Sequence, residues 1–139
     1  MFTRSKEEYV LDLTLDSGIY KGYNLLFSKN NFEKHQRNPS KTYYHESMKD
    51  RFLQEVIPTI FKNSECVCRS LHRQRFAEPP KYVIYGIFQD LGIYKTYIRI
   101  PFYLYKRKRK IVIMTFTPDI RDITETICKA KSKNLRLYS

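Results

Sequence analysis

Acidic side chains are scarce in this sequence: 14 Asp and Glu stand against 26 Lys and Arg over 139 residues, an excess of 12 positive charges. So large an imbalance favours a polyanionic partner, though charge speaks to binding and not to fold. Nucleic acid is the first expectation and an acidic protein the second. Long apolar runs are missing as well, so no segment is fit to span a bilayer, and Met1–Val10 lacks the pattern of a secretory signal. The expected setting is the cytoplasm, with no membrane partner. Cysteine occurs only at Cys66, Cys68 and Cys128. The odd count, and a Cys-Val-Cys spacing without the two-residue gap or second pair of a zinc knuckle, point to reduced structural thiols. The three histidines, His35, His45 and His72, are scattered along the chain, so no metal or other cofactor is expected. Internal repeats and low-complexity segments are absent too.

The length suits one domain with a sizeable core, and the expected division is a single basic domain over 1–128 and a basic tail over 129–139. Tyr9, Leu11, Leu13 and Leu15 alternate with Val10, Asp12 and Thr14, Asp16-Ser17-Gly18 reads as a turn, and Ile19–Phe27 as the returning strand of a hairpin. Ser28 is placed to cap a short helix over Asn31–His35, which Pro39 closes. Met48, Phe52, Leu53, Val56, Ile57 and Ile60 recur at the helical period, with Pro58 expected to kink the last turn. After a polar connection with a possible short strand at Glu65–Leu71, three strands follow: Tyr82–Phe88, Ile93–Tyr105 and Ile111–Phe116. Asp90-Leu91-Gly92 is the expected turn between the first two. Pro101 cannot donate to a ladder, which predicts a bulge or an edge there. Ile120–Ala130 can form a further helix. The expected fold class is α+β: a single antiparallel sheet of four to five strands against two to three helices.

Along the Ile93–Tyr105 strand, Tyr94, Thr96, Ile98, Ile100 and Phe102 share one face, and Lys95, Tyr97, Arg99 and Tyr103 the other. A face bearing cations and rings suits RNA or single-stranded nucleic acid, whose phosphates attract the charges and whose bases stack on the rings. Lys95 and Arg99 lie roughly 13 Å apart by strand rise, enough to touch different phosphates, with Tyr97 between them. The run Lys106, Arg107, Lys108, Arg109, Lys110 at the next turn is expected to bind nucleic acid without sequence preference. It would equally serve as a soluble tip that discourages edge pairing.

RNA can be cleaved without metal if a base takes the ribose 2′-hydroxyl proton, an acid protonates the leaving oxygen and cations hold the charge growing on phosphorus. His35 has the right titration range, and Arg37, two residues on, can pair with a phosphate. Thr115 and Thr117 project from one face of the last strand, where a hydroxyl can donate to a phosphate oxygen. A surface histidine on a polar loop and ordinary strand threonines are the bland alternatives.

Taken in order, the hairpin ending Tyr23–Phe27, the Asn31–His35 segment, the helix Met48–Phe61, Asn63-Ser64-Glu65-Cys66-Val67 and the strands ending Ile113-Met114-Thr115-Phe116 resemble the barnase/EndoU/colicin/RelE-like superfamily of ribonuclease toxins. That resemblance spans most of Glu8–Asp119. It implies a histidine near the start of the helical region, basic residues on central strands and a threonine or serine near the end of the last strand. His35, Lys95 or Arg99, and Thr115 are the matching positions. The implied activity is a metal-independent endoribonuclease, and the implied partner an acidic antitoxin or immunity protein. A second resemblance, to PAS sensor domains, rests on Asp16-Ser17-Gly18-Ile19-Tyr20, Asn24 and Arg121-Asp122-Ile123-Thr124-Glu125. It implies an apolar ligand pocket, which sits poorly with so basic a chain. A nucleic-acid-binding protein without turnover is the third expectation.

Overall fold

The computed structural model of the protein describes residues 7–39, 41–69, 78–88 and 96–119. The chain starts with two antiparallel strands, β1 (Tyr9–Thr14) and β2 (Asn24–Ser28), followed by helix α1 (Lys29–Gln36) and a 3-10 turn at Thr42–Tyr44. Helix α2 (Glu46–Arg51) runs through a π-helical turn (Phe52–Val56) into α3 (Ile57–Asn63). Strands β3 (Cys66–Arg69), β4 (Lys81–Phe88), β5 (Thr96–Tyr105), β6 (Lys110–Ile113) and β7 (Thr117–Asp119) complete the described chain. The sheet order is β1-β2-β6-β5-β4-β3, with β7 also pairing β5.

The α+β class agrees with expectation, but the sheet has more strands than the four to five expected and is mixed, because β2 and β6 run parallel. The expectation joined strands through local hairpins. A parallel pair instead needs a long crossover, and here the three helices and β3–β5 supply it. No turn signal marks such a pairing, since its partners lie 86 residues apart, as with Leu25 and Ile111. The expected strand over Ile19–Phe27 also shortens to β2. Tyr20 is fully buried and meets the Phe102 ring edge-on at 5.7 Å. Bonds from Leu15 N to Tyr23 O and Gly22 N to Leu15 O close the loop around it. Burying this ring outweighs continuing the ladder.

The helix over 46–63 shows how the expected kink is accommodated. Pro58 has no N–H to return to the fourth residue before it, and its ring crowds that carbonyl. Just upstream the helix widens, and the Ile57 N–H bonds to Phe52 O, five residues back. Such a π-turn inserts one residue and relieves the crowding without breaking the helix. Phe52, Val56, Ile57, Ile60 and Phe61 thereby face the sheet and are buried.

On the sheet, Ile98, Ile100, Phe102 and Leu104 of β5, Ile111 and Ile113 of β6 and Leu25 and Phe27 of β2 are all buried. The opposite face departs from the open cationic platform expected. Cys68, Val83 and Pro101 lie in one cross-strand row and are buried, as is Leu26 beside Val112. Lys81 on this face is buried too, paired with Glu78 at 3.0 Å. Arg99 and Tyr103 are half-buried. With Pro101 buried on this side as Ile98, Ile100 and Phe102 are on the other, alternation in β5 does not separate core from solvent. Cys68 is free and buried, as expected of a reduced structural thiol, whereas Cys66 departs from expectation in being disulfide-bonded. Among the described residues no helix is long and apolar enough to cross a membrane. The expected turn at 90–92, the helix over 120–130 and the tail over 129–139 lie outside the described residues.

Gly86 on β4 sits directly beneath α3, where an added Cβ would overlap Ile60 Cδ1. Gly86→Ala is expected to cost about 1–3 kcal/mol by overpacking. Chemical denaturation of Gly86→Ala, Ile60→Val and the double variant checks this, with a coupling above about 0.5 kcal/mol expected between neighbours.

Candidate active site

The site begins with a proline. Met114 N donates to Pro101 O at 2.9 Å, but Pro101 has no N–H to return, so the ladder leaves Met114 O without a donor. Pairing then slips. Phe102 faces Ile113 while Arg99 faces Thr117, so three steps on β5 match four on its partner. That extra residue makes a β-bulge over Met114–Phe116 between β6 and β7, the bulge anticipated at Pro101 but carried by the partner strand.

Helix α1 closes over the bulge. Ser28 caps it, accepting from Asn31 N at 3.2 Å, and Lys29 ties its first turn to Glu8 of the strand edge at 3.1 Å. Only Phe32 of this helix is buried, packing edge-on against Phe27 at 5.6 Å. Eight residues with one apolar anchor make a marginal helix alone. Asn31 and His35, one turn apart on the same side, supply further attachment. Asn31 Nδ2 donates to Met114 O at 2.6 Å, and His35 Nε2 donates to the same oxygen at 3.1 Å. A carbonyl only accepts, so Nε2 carries the hydrogen and Nδ1 is the basic atom of the neutral ring.

The 3-10 turn brings a second group. Tyr44 is fully buried, stacked on Phe116 at 4.3 Å, and Phe116 stacks in turn on Phe52 at 4.9 Å. The Tyr44 hydroxyl accepts from Phe116 N at 3.1 Å and shares a hydrogen bond with Thr115 Oγ1 at 2.9 Å. Lys41 Nζ donates to the same threonine oxygen at 3.4 Å and lies 5.7 Å from the centre of the Tyr44 ring. When Tyr44 supplies the shared hydrogen, Thr115 accepts twice and its own hydrogen is left to donate outward. The His35 ring lies 5.3 Å from Tyr44, so imidazole, ammonium, phenol and threonine hydroxyl form one half-buried cluster.

Its electrostatics favour a base. Burial first, then the charge of Lys41 and that of Lys34, hold His35 below its ordinary value, against the opposing bond to Met114 O. The imidazole is thereby kept neutral near pH 7. Burial also lowers Lys41, making its ammonium a stronger acid than a solvated lysine. Burial pushes the Tyr44 hydroxyl up, despite its bonds to Thr115 and Phe116, so Tyr44 serves as a neutral donor and prop.

Of the expected site residues, His35 and Thr115 meet at the bulge. Arg37 is the exposed residue at the end of α1. Arg99 stands across from Thr117, two residues past Thr115. Lys95 and the Tyr97 side chain lie outside the described residues. Lys106, Arg107, Lys108, Arg109 and Lys110 sit at the opposite end of β6, away from the cluster. Sequence reasoning missed Asn31, Lys41 and Tyr44. The i,i+4 spacing of Asn31 and His35 was a usable sign, whereas nothing distinguished Tyr44 among 12 tyrosines. Among the described residues no three His, Cys, Asp or Glu side chains gather as a metal-ligating set.

No protein-family model matches the chain, and no curated protein or solved structure matches it either.

Two outcomes follow from this geometry. Tyr44→Phe leaves the buried Phe116 N–H without its acceptor, for an expected loss of about 1–3 kcal/mol in denaturant melts. The unfolded chain protonates His35 near its ordinary value of about 6.5, and the folded chain only at lower pH. The folded state therefore binds fewer protons, so this contribution is complete above about pH 6.5 and disappears as pH falls through the lowered value. The melting temperature of the wild type, relative to that of His35→Gln, is expected to drop between about pH 7 and 5; a rise would mean a raised His35.

Proposed function

We propose that the chain is a metal-independent endoribonuclease whose active site is the bulge cluster. One observation carries this reading: a half-buried imidazole, bonded through Nε2 to Met114 O and so left with Nδ1 as its basic atom, lies with its ring 5.3 Å from Tyr44, beside the hydrogen-bonded ammonium and hydroxyl of Lys41 and Thr115. In the proposed reaction His35 Nδ1 takes the proton of the ribose 2′-hydroxyl, and the 2′-oxygen forms a bond to phosphorus. The bond from phosphorus to the 5′-oxygen breaks, and that oxygen leaves with a proton from Lys41. The products are a 2′,3′-cyclic phosphate and a free 5′-hydroxyl. Lys41 and the Thr115 hydroxyl hold the negative charge that builds on the nonbridging oxygens, and Arg37 and Arg99 bind flanking phosphates. Asn31 and Tyr44 touch no substrate in this scheme; they position His35 and Thr115.

The resemblance to ribonuclease toxins supports the same reading, as does the excess of 12 positive charges. An activity of this kind against cellular RNA in the cytoplasm would need an acidic antitoxin or immunity protein, and we include that partner in the proposal. The sensor reading calls for an apolar chamber between sheet and helices. Tyr20, Phe27, Phe52, Phe61, Phe102 and Phe116 occupy that space as contacting rings, which favours the nuclease. A binding protein without turnover would use the same cations, but has no need of a neutral imidazole beside an acidified ammonium.

Incubating the full chain with RNA in a chelator tests the proposal. Products ending in a 2′,3′-cyclic phosphate are expected, with half-maximal rate below about pH 6.5, because His35 titrates lower than usual. His35→Ala should lose about 10²–10⁴ in rate. A wild-type protein that leaves RNA intact at every pH from about 5 to 8, the range in which histidine titrates, would end the reading.

A further inference from the structure

The basic turn at Lys106–Arg109 lies at the far end of β6 from the cluster. From Lys110 to Thr115 is five residues, roughly 17 Å at about 3.3 Å per residue. All four residues of the turn are exposed, and among the described residues no carboxylate lies within ion-pair distance of any of them. The turn is also held in place. Arg109 adopts a left-handed backbone, φ 50°, unusual for a side chain of its size. Its carbonyl accepts from Asn24 N at 2.8 Å, and its own N–H bonds to Lys106 O. A Cβ on Gly22 would come within 3.3 Å of the Arg109 guanidinium, so the long side chain lies along bare backbone in the facing turn. Exposed Lys21 neighbours that contact. The left-handed residue closes the hairpin, and the bond to Asn24 joins the turn to the start of β2, so the cations project from a fixed backbone.

We propose that Lys106, Arg107, Lys108 and Arg109, with Lys21, form a second phosphate-binding point that takes the same RNA strand as the cleavage site, several nucleotides away. This rests on the ribonuclease reading for the identity of the substrate. It adds that the substrate is a stacked single strand of several nucleotides and not a short fragment. At the 3.4 Å phosphate spacing of a stacked strand, about five nucleotides separate the two points. A longer strand engages both, and the second contact forms at high effective concentration. A shorter one reaches only one. RNA is preferred over an acidic polypeptide because four exposed cations on one tight turn, with no carboxylate partner among the described residues, present a line of charge rather than an apolar surface.

The test is binding of 2′-O-methyl oligonucleotides, which lack the attacking hydroxyl, to the full chain by fluorescence anisotropy. It reads the tip whether or not the protein cleaves RNA, so failure of the nuclease reading and failure of this one are separable. The wild type is expected to prefer an oligonucleotide of about 12 residues over one of about 3 by at least 10²-fold, within the gain that linked contacts give. Lys106→Gln/Arg107→Gln/Lys108→Gln should reduce that preference about tenfold and lower the salt slope for the longer strand by about 2, from three phosphate contacts at about 0.7 each. Arg109→Gly suits the left-handed backbone, which keeps the turn folded, and should lower the slope by about 0.7. An unchanged length preference and slope in both variants would overturn the proposal. So would a polyglutamate of equal charge that binds the wild type as tightly as the longer oligonucleotide.

Discussion

The carbonyl oxygen of Met114 accepts from two side chains one helical turn apart, and the arrangement of the site depends on that shared oxygen. It is available because Pro101, facing it across the ladder, has no hydrogen to give. Without a donor from β5, a half-buried carbonyl would bear the cost of an unmade bond. Asn31 and His35 remove that cost and in doing so fasten a helix that has a single buried residue of its own. A backbone deficit on one strand thus becomes the seat of a side chain from 79 residues earlier. The same bulge turns Thr115 toward Tyr44 and Lys41 and lets Phe116 fall into the aromatic stack beneath them.

Packing and electrostatics are linked at this point. The rings of Phe52, Phe116 and Tyr44 stack beneath the bulge, and burial, with the charge of Lys41 added for His35, pushes His35 and Lys41 down. Burial thus holds the imidazole neutral to lower pH than in water and makes the lysine a stronger acid than its solvated form. At the other end of β6 the basic turn stays in solvent, where charge keeps its full hydration and acts through long-range attraction. One short strand therefore connects two kinds of positive group, one tuned by burial and one exposed to solvent.

Elements set by local rules were legible in the sequence. Ser28 caps α1 because a hydroxyl three residues before Asn31 satisfies a free N–H. The helical period from Met48 to Ile60 marked the helix that covers the sheet, and Pro101 marked the bulge. His35 and Thr115 were picked out by their chemistry. What stayed hidden depends on contacts distant in sequence. The parallel β2–β6 pair has no local signature, and it places β5 and β6 in the middle of the sheet; the burial of Pro101, and the half-burial of Arg99 and Tyr103 on the same side, could not be read from alternation in β5 alone. Lys41 and Tyr44 look like ordinary loop residues until the bulge is formed and brings Thr115 to both and Phe116 to Tyr44.

The most direct measurement is the tautomer of His35, read by nitrogen-15 NMR of the imidazole near pH 7. Hydrogen on Nε2, an unprotonated Nδ1, and scalar coupling from Nε2 to the Met114 carbonyl carbon are the predicted result. A ring protonated on Nδ1, or one exchanging freely between tautomers with no coupling to Met114, would contradict the account.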